Sequence, residues 1–339
     1  MKRYKTVFTT ERGRRHQQVA LAAAPDMLDI TMLRQPPPDV LREYLTDAEY
    51  LISERTGAVD AATIQAAPHL KMILRLGSLT YDIDTAAAQA AGVAVCYWPV
   101  PTVIRVAEHM VMQLLALSKK LREAEAIALA ASEEWGESQR TDEDTFAYNW
   151  SHRENVEGLW QRTIGIMGFG EIGAELARRL QGWGCTLLYH KRRRLPPNVE
   201  AELGLTYVDS ATLYAESDYL ANLLPYFATT DGLLNADVFA KMKPGACLVS
   251  CGSGSVIDEA ALAAAIESGK LGGAALDTFE WEPIWPDNPL IRLARENYNV
   301  LLTPHIAAGA VAALVQERAA DFSNVIRHIE GRPLLNRVA

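Results

Sequence analysis

Short apolar runs separated by amphipathic stretches organise the first hundred residues. Runs at 5–9, 48–54 and 70–77 are rich in apolar and β-branched residues, and each predicts a strand. The segments between them, beginning with 14–24, predict helices, and another strand is expected after Gly92. This alternation predicts a mostly parallel sheet with helices on its faces.

The pattern changes at residue 103. From there to about residue 131 a single long helix is expected, and its first half is apolar nearly all round. A helix of that kind is usually buried between domains or in a subunit interface. The stretch 132–160 is polar and irregular, which predicts a surface excursion.

A second series of strands and helices begins at Thr163. Six strands alternating with helices are typical of the doubly wound dinucleotide-binding architecture. The final stretch, 306–339, is expected to be helical, then irregular, and to return to the first domain. The six predicted strands are 163–167, 185–189, 219–223, 246–250, 272–276 and 299–302.

Composition narrows the class of protein. The chain has 339 residues, which suits two domains, and a net charge of −9, which argues against nucleic acid as a partner. It has no apolar run long enough for a membrane span or a signal peptide, so we expect a cytoplasmic protein. The cysteines lack metal-ligand spacing, so free thiols and no metal site are expected. They are Cys96, Cys185, Cys247 and Cys251.

A glycine-rich loop joins the strand at 163–167 to an amphipathic helix. Gly168 permits a tight turn, Gly170 leaves room for a pyrophosphate, and Gly173 allows close packing of helix and strand. The helix begins near Glu171 and Ile172, where its N–H groups and partial positive charge would face the phosphates. This context, rather than the glycines alone, predicts a dinucleotide site.

The end of the next strand bears on which dinucleotide binds. An NAD site usually carries an acidic residue there, but this chain has His190 followed by Lys191, Arg192 and Arg193. Cationic side chains would bind a 2′-phosphate that a carboxylate would repel. We therefore predict that NADP is preferred, with NAD also possible. The alternative interpretation is a solvated basic loop.

These motifs together resemble the D-isomer-specific 2-hydroxyacid dehydrogenase family. The resemblance implies an α/β fold in which a Rossmann cofactor domain, 103–305, is inserted into a flavodoxin-like substrate domain formed by 1–102 and 306–339. It also implies a homodimer formed through the long helix, and a small-molecule substrate. The stretches that carry it are RVAEHMVMQLLALSKKL, TIGIMGFGEIG, residues 223–266, LGGAALDTFEWEP and NVLLTPHIAAGA.

The resemblance also implies catalytic roles. His305 matches the histidine that donates a proton to the substrate carbonyl and takes it back in the oxidation direction, and Glu282 matches its carboxylate partner. Asp277 matches the residue that contacts the nicotinamide carboxamide. Pro225 and Cys251 fall among the family's other cofactor-binding positions.

One position departs from the family. Where its signature reads like VNTARGGVVDE, this chain reads VSCGSGSVIDE, so Ser253 replaces the arginine that grips the carboxylate of a 2-oxo acid. A hydroxyl cannot replace a bidentate cation. The carboxylate-binding loop departs as well, because it reads RLGSLTYDID and Leu79 stands on its second glycine. Ser78 and Arg75 are the other candidate substrate-binding residues of this loop.

Three interpretations follow. The first is an oxidoreductase acting on a hydroxyl or carbonyl compound other than a simple 2-hydroxy acid. The second is a conventional 2-oxo acid reductase, such as one acting on glyoxylate or hydroxypyruvate, in which Arg75 or Arg105 replaces the missing cation. The third is a regulatory protein, or a lyase or hydrolase that uses bound NAD(P) for transient oxidation. Aromatic residues available to line a pocket in the first case are Tyr97, Trp98, Tyr226 and Trp281.

Overall fold

The computed structural model describes residues 2–54, 57–309 and 314–339, with only the backbone of 314 and 315. The chain divides into two compact units. The first contains Met1–Arg105 and Ala308–Ala339, and the second contains Val106–Ala307. Each unit is built on a parallel sheet, so the α/β class expected from the sequence is confirmed.

The first unit has a five-stranded parallel sheet in the order β2-β1-β3-β4-β5. Every residue of β3 and β4 is buried, because helices cover both faces of a parallel sheet. The elements are β1 (Tyr4–Thr10), α1 (Arg14–Ala22), β2 (Leu28–Arg34), α2 (Pro38–Leu45), β3 (Tyr50–Glu54), α3 (Ala61–Gln65), β4 (Met72–Leu76), α4 (Thr85–Ala90) and β5 (Ala94–Trp98).

The strand β2 was not expected from the sequence, which predicted only helices between 24 and 48. That prediction is wrong for 28–34. β2 lies at the edge of the sheet and only Leu28 of its seven residues is buried. An edge strand of this kind has neither a clean alternation nor a continuous apolar run, so its sequence signal is weak.

The helix predicted over 103–131 is two helices. Two residues separate α5 (Pro101–Ser118) from α6 (Leu121–Ala130), and one of them, Lys120, has a φ of 47°. A left-handed residue breaks the helical path, and neither glycine nor proline marks the place in the sequence. Residues 131–162 contain one short 3-10 helix, Glu133–Trp135, and are otherwise irregular.

The second unit has seven parallel strands in the order β12-β11-β10-β9-β6-β7-β8. The six predicted strands are found within one residue at each end. The sequence did not reveal β8 (Leu205–Tyr207), a three-residue strand at the edge of the sheet. The other strands are β6 (Thr163–Met167), β7 (Thr186–His190), β9 (Tyr219–Asn222), β10 (Cys247–Ser250), β11 (Gly273–Leu276) and β12 (Val300–Leu302).

Helices connect the strands of this sheet and pack a core that includes Leu248, Leu262 and Leu276. Neighbouring strands β6 and β9 mark the point where the strand order reverses, and ligands of doubly wound sheets bind beside such a point. The helices are α7 (Glu171–Leu180), α8 (Pro197–Leu203), α9 (Ser210–Glu216), α10 (Ala236–Lys241), α11 (Glu259–Glu267) and α12 (Pro289–Arg295).

After the second unit the chain forms α13 (Leu314–Ala320) and α14 (Ser323–Ile329), which belong to the first unit. Two backbone hydrogen bonds join Val95 to Val338 and Tyr97 to Asn336, so the C-terminal segment lies along β5. Among the described residues, no helix combines the length and hydrophobicity that a lipid bilayer requires.

Candidate active site

The glycine loop follows β6 and leads into α7. Gly168 has a φ of 83°, and a Cβ there would lie 2.8 Å from the backbone of Leu223, so the position requires glycine. A Cβ on Gly170 would meet nothing within 4 Å, so the space in front of the α7 N-terminus is open. At Gly173 the close neighbour is the ring of Phe169, at 2.9 Å. The open backbone at Gly170 fits a pyrophosphate.

The basic segment follows β7. His190 Nδ1 lies 2.9 Å from the carbonyl oxygen of Val208, to which it donates a hydrogen bond. Arg194 donates two hydrogen bonds to Glu200, of 2.8 and 2.7 Å, and is therefore committed to the fold. Arg192 and Arg193 are exposed, while Lys191 is half-buried. The guanidinium of Arg192 lies 5.5 Å from the ring centroid of Phe227.

His305 and Glu282 form a close pair. His305 Nδ1 lies 2.7 Å from Glu282 Oε2, and the backbone N–H of Phe279 donates to Glu282 Oε1 at 3.2 Å. The side chains are 57% and 37% exposed, so ligands can reach the imidazole. His305 also has a φ of 54°, and strained non-glycine residues concentrate at functional sites.

Asp277 organises the turn that carries His305. Its carboxylate, 1% exposed, accepts hydrogen bonds from the Thr303 hydroxyl at 2.6 Å and from the backbone N–H groups of Ile306 at 3.0 Å and Ala307 at 2.9 Å. These contacts hold the chain on both sides of the imidazole. The family resemblance implied a nicotinamide contact for Asp277, and the geometry adds this internal role.

His109 extends the same network and was not singled out from the sequence. Its Nε2 lies 3.1 Å from the Thr303 hydroxyl and 3.6 Å from Asp277 Oδ1. Burial lowers the pKa of His109, and Asp277 opposes that shift only in part. The Thr303 hydroxyl gives its hydrogen to Asp277, so His109 Nε2 donates to the Thr303 oxygen. The partners lie 194 residues apart along the chain, so no local pattern could have revealed the contact.

Three potential metal ligands meet at this place. The ligand atoms of His109, Cys251 and Asp277 all lie within 4.8 Å of one another. Both carboxylate oxygens of Asp277 already accept hydrogen bonds, and Cys251 Sγ donates to Gln113 Oε1 at 3.6 Å. Burial, followed by the nearby Asp277 carboxylate, raises the pKa of Cys251. A protonated thiol is a poor ligand, so the cluster fits a hydrogen-bond network better than a metal site.

Ser253 lies in a turn whose backbone is tightly held. Its N–H donates to the carbonyl of Leu224 at 2.9 Å, next to Pro225. A Cβ on Gly252 would lie 2.8 Å from the same carbonyl oxygen, and one on Gly254 would lie 2.0 Å from the carbonyl of Phe279. The turn therefore lies against the start of the loop that carries Glu282.

Two exposed indoles lie in that loop. The rings of Trp281 and Trp285 are stacked, with centroids 4.8 Å apart and an interplanar angle of 13°. The two side chains are 52% and 56% exposed. They flank Glu282 in sequence and together offer a flat apolar surface.

In the first unit, the two arginines considered as substrate-binding residues each pair with a carboxylate. Arg75 is buried and donates to Asp82 Oδ1 at 2.5 Å. Arg105 donates to both carboxylate oxygens of Glu317, at 3.0 and 2.5 Å. Both guanidinium groups are therefore balanced by carboxylates of the same unit. Ser78 and Leu79 follow β4, where Leu79 is buried and Ser78 half-buried.

Comparison with known proteins adds to this geometry. Residues 111–307 match the family model described as "D-isomer specific 2-hydroxyacid dehydrogenase, NAD binding domain". The chain is 32% identical over 311 residues to D-3-phosphoglycerate dehydrogenase of Mycobacterium leprae, covering 91% of this chain and 54% of that protein. It thus spans about half the length of that relative.

Two further relatives are matched over most of their length. The glyoxylate reductase of Thermococcus litoralis is 33% identical over 275 residues, which cover 81% of this chain and 78% of that protein. Among solved structures, a glyoxylate reductase from Paecilomyes thermophila superposes with a TM-score of 0.54 at 26% identity. That match covers 100% of this chain and 99% of the other.

Proposed function

Because the chain belongs to the D-isomer specific 2-hydroxyacid dehydrogenase family, we propose that it is an NAD(P)-dependent oxidoreductase acting on a hydroxyl or carbonyl carbon. Its substrate is not a simple 2-hydroxy acid. The observation that carries the proposal is the 2.7 Å contact of His305 with Glu282, combined with Ser253 at the position of the family's arginine.

His305 is the acid and base of this reaction. Glu282 accepts the Nδ1 hydrogen, which directs Nε2 towards the substrate oxygen. In the reductive direction Nε2 gives its proton to the carbonyl oxygen, and in the oxidative direction it takes the hydroxyl proton. A bound nicotinamide supplies or accepts the hydride. Asp277 holds the turn around His305 in place during both reduction and oxidation.

Residues 103–305 bind the nucleotide in this proposal, and 1–102 with 306–339 bind the substrate. The open backbone at Gly170 and the adjoining α7 N-terminus, Glu171 and Ile172, receive the pyrophosphate. Pro225 and Cys251 follow β9 and β10, on the same edge of the sheet, which supports their assignment to the cofactor site.

NADP is the preferred cofactor in this proposal, bound through the exposed guanidiniums after β7. Replacing Arg192 with alanine removes a charge-assisted contact to the 2′-phosphate, which is worth about 1.5–3 kcal/mol. The KM for NADPH should rise about tenfold or more, while the KM for NADH stays within about twofold. Arg292→Ala is the control, because Arg292 is an exposed arginine of the same unit paired with Glu267 and Glu296. A lower KM for NADH than for NADPH in the wild-type protein would contradict the preference for NADP.

The substrate assignment rests on charge. The hydroxyl of Ser253 cannot form the two parallel hydrogen bonds by which a guanidinium holds a carboxylate. Arg75 and Arg105 are occupied by Asp82 and Glu317. A larger and less anionic carbonyl compound suits such a site, and the exposed rings of Tyr226 and Trp281 are available to it.

Restoring the arginine tests this assignment. Ser253→Arg should raise NADPH-dependent reduction of glyoxylate, hydroxypyruvate or pyruvate about 10²–10³-fold, the usual contribution of one transition-state hydrogen-bond donor. Ser255→Arg is the matched control, since it adds the same charge two residues away. No gain in the Ser253 variant, with nucleotide binding retained, would contradict the role given to position 253.

The conventional 2-oxo acid reductase is the second candidate, favoured by the relatives named glyoxylate reductase. In that case wild type itself reduces these acids at rates that Ser253→Arg does not increase. A protein that keeps NAD(P) through dialysis and cycles it without net reduction would instead support the lyase alternative.

We also propose a homodimer formed through α5 and α6. None of the ten residues of α6 is buried, although Leu121 and Leu129 are apolar, and Leu129 is 78% exposed. The apolar side chains that α6 leaves exposed support this proposal. Light scattering should give twice the chain mass for wild type and one chain mass for Leu129→Glu. A wild-type monomer would refute the proposal.

A further inference from the structure

The loop at 279–288 carries Glu282 and is held at two points by one buried carboxylate. Glu259 lies in the first turn of α11 and is 7% exposed. Its Oε1 accepts a hydrogen bond from the backbone N–H of Glu280 at 3.0 Å, and its Oε2 accepts one from the side-chain amide of Asn288. The two contacts bracket the segment that contains Glu282.

The orientation of Asn288 is fixed independently. Its Oδ1 accepts a hydrogen bond from the backbone N–H of Leu290 at 2.9 Å, which caps α12. The NH₂ group must therefore face Glu259. Glu259 therefore receives two hydrogen bonds, one from each end of the loop, and each of its carboxylate oxygens acts as an acceptor.

A short series of contacts connects the loop held by Glu259 to the imidazole of His305. The Glu280 N–H contact fixes the backbone two residues before Glu282, and Glu282 Oε1 accepts from the N–H of Phe279. Its other oxygen lies 2.7 Å from His305 Nδ1. A displacement of the loop therefore moves the carboxylate that orients the imidazole.

We propose that Glu259 is a positioning residue for the reaction: it holds the 279–288 loop so that Glu282 stays against His305. The inference rests on the proposed function, since it assigns a role within the same acid and base site. Glu259 itself touches neither member of the pair. Burial raises the pKa of Glu259, while the two hydrogen bonds oppose that shift.

The adjacent residue provides a matched control. Asp258 caps the same helix by accepting from the N–H of Ala261 at 2.9 Å, and it is exposed. Substitution of either residue perturbs the start of α11, but only Glu259 contacts the loop. Effects shared by both variants therefore belong to the helix, and effects unique to Glu259 belong to the loop.

The experiment measures the tautomer of His305 by ¹⁵N NMR of histidine-labelled protein, with its signal assigned by loss in His305→Gln. In wild type the Nδ1–H form should predominate. Glu259→Gln places an NH₂ group against either Asn288 or Glu280. It should lower the ratio of Nδ1–H to Nε2–H severalfold, towards the ratio in Glu282→Ala, while Asp258→Asn keeps the wild-type ratio.

Asn288→Asp releases the loop from its other end. Aspartate still caps α12 but repels Glu259, so the tautomer ratio should fall in the same direction even if Glu259→Gln folds poorly. In assays with a substrate that the wild-type protein converts, Glu259→Gln and Asn288→Asp should each lower kcat about tenfold or more. The KM for the nucleotide should stay within about twofold of wild type.

Two failures can be told apart. A wild-type tautomer ratio in folded Glu259→Gln and Asn288→Asp would overturn the positioning role. A wild-type ratio in Glu282→Ala, which removes the acceptor altogether, would instead show that His305 does not depend on Glu282, and would overturn the acid and base pair of the proposed function.

Discussion

Two carboxylates, one in each unit, illustrate opposite uses of charge. Glu54 in the first unit has a side chain only 4% exposed, and it accepts from the Thr10 hydroxyl, from Arg12 and from Arg318. Burial raises its pKa, yet the two guanidiniums outweigh burial and hold the pKa below its usual value. Every oxygen of Glu54 is consumed by partners within the fold.

Glu282 in the second unit has a side chain 37% exposed, and its partner His305 is 57% exposed. Solvent screens this pair, so it contributes little to folding, but it leaves an imidazole nitrogen available for a substrate. Burial and full pairing thus identify a carboxylate that stabilises the fold. Partial exposure, with one oxygen directed at an exposed imidazole, identifies a carboxylate suited to chemistry.

The largest effect should come from the exposed pair. His305→Asn removes the acid and base group and should lower turnover about 10²–10⁴-fold. Its free energy of unfolding should change by about 0.5 kcal/mol or less, since the side chain is exposed. Steady-state kinetics and thermal unfolding measure the two quantities, with nucleotide affinity as the control. Unchanged turnover would remove His305 from the mechanism.

For the buried carboxylate of Glu54, the large effect is expected on the free energy of unfolding. Glu54→Gln leaves Arg12 and Arg318 without their common counter-charge and should lower the free energy of unfolding by about 3–5 kcal/mol. Glu282→Gln, the same substitution at the exposed pair, should cost about 1 kcal/mol or less. Denaturant titration compares the variants. Equal losses would show that exposure does not separate the two roles.

A smaller, pH-dependent effect should sharpen the comparison within the first unit. Asp321 Oδ2 lies 3.1 Å from Arg318 Nη1 but is buried without a hydrogen-bond partner. Burial is the main cause that raises the pKa of Asp321 from 3.8 to about 7. The folded protein therefore holds a proton that the unfolded chain has released, and stability falls as pH rises between those values.

Asp321→Asn removes that dependence. At about pH 8 the folded wild type buries a carboxylate that the unfolded chain keeps ionised in water, and the uncharged amide avoids that cost, so the variant should be more stable than wild type by about 1–3 kcal/mol. The gain should be smaller at about pH 5, where Asp321 in the folded wild type is still protonated. Thermal unfolding at both pH values measures the difference. A gain that does not grow with pH would show that Asp321 is ionised in the fold at both.

The parts of the site that could be predicted from sequence are those with local signals. Gly168 and Gly170 follow an apolar strand and precede a helix, and Glu282 and His305 occur within family motifs. The network of Asp277 with His109, and the contact of Glu259 with Asn288, could not be predicted. Their partners are distant in sequence, and only folding brings them together.

The fold shows the same limit. Central strands such as β6 are continuous apolar runs that can be recognised alone, whereas the edge strands β2 and β8 depend on a neighbour that their own sequence does not reveal. The break at Lys120 likewise has no glycine or proline to mark it.

The turn around Ser253 has a consequence for how substrate preference changes over time. Gly252 and Gly254 are confined by neighbouring backbone, so mutation at either would disturb the scaffold. Ser253 between them has a φ of −71°, which L-amino acids adopt without backbone strain. Under the proposed function, a substitution at this one position can therefore change which substrates bind while the backbone around it stays as it is.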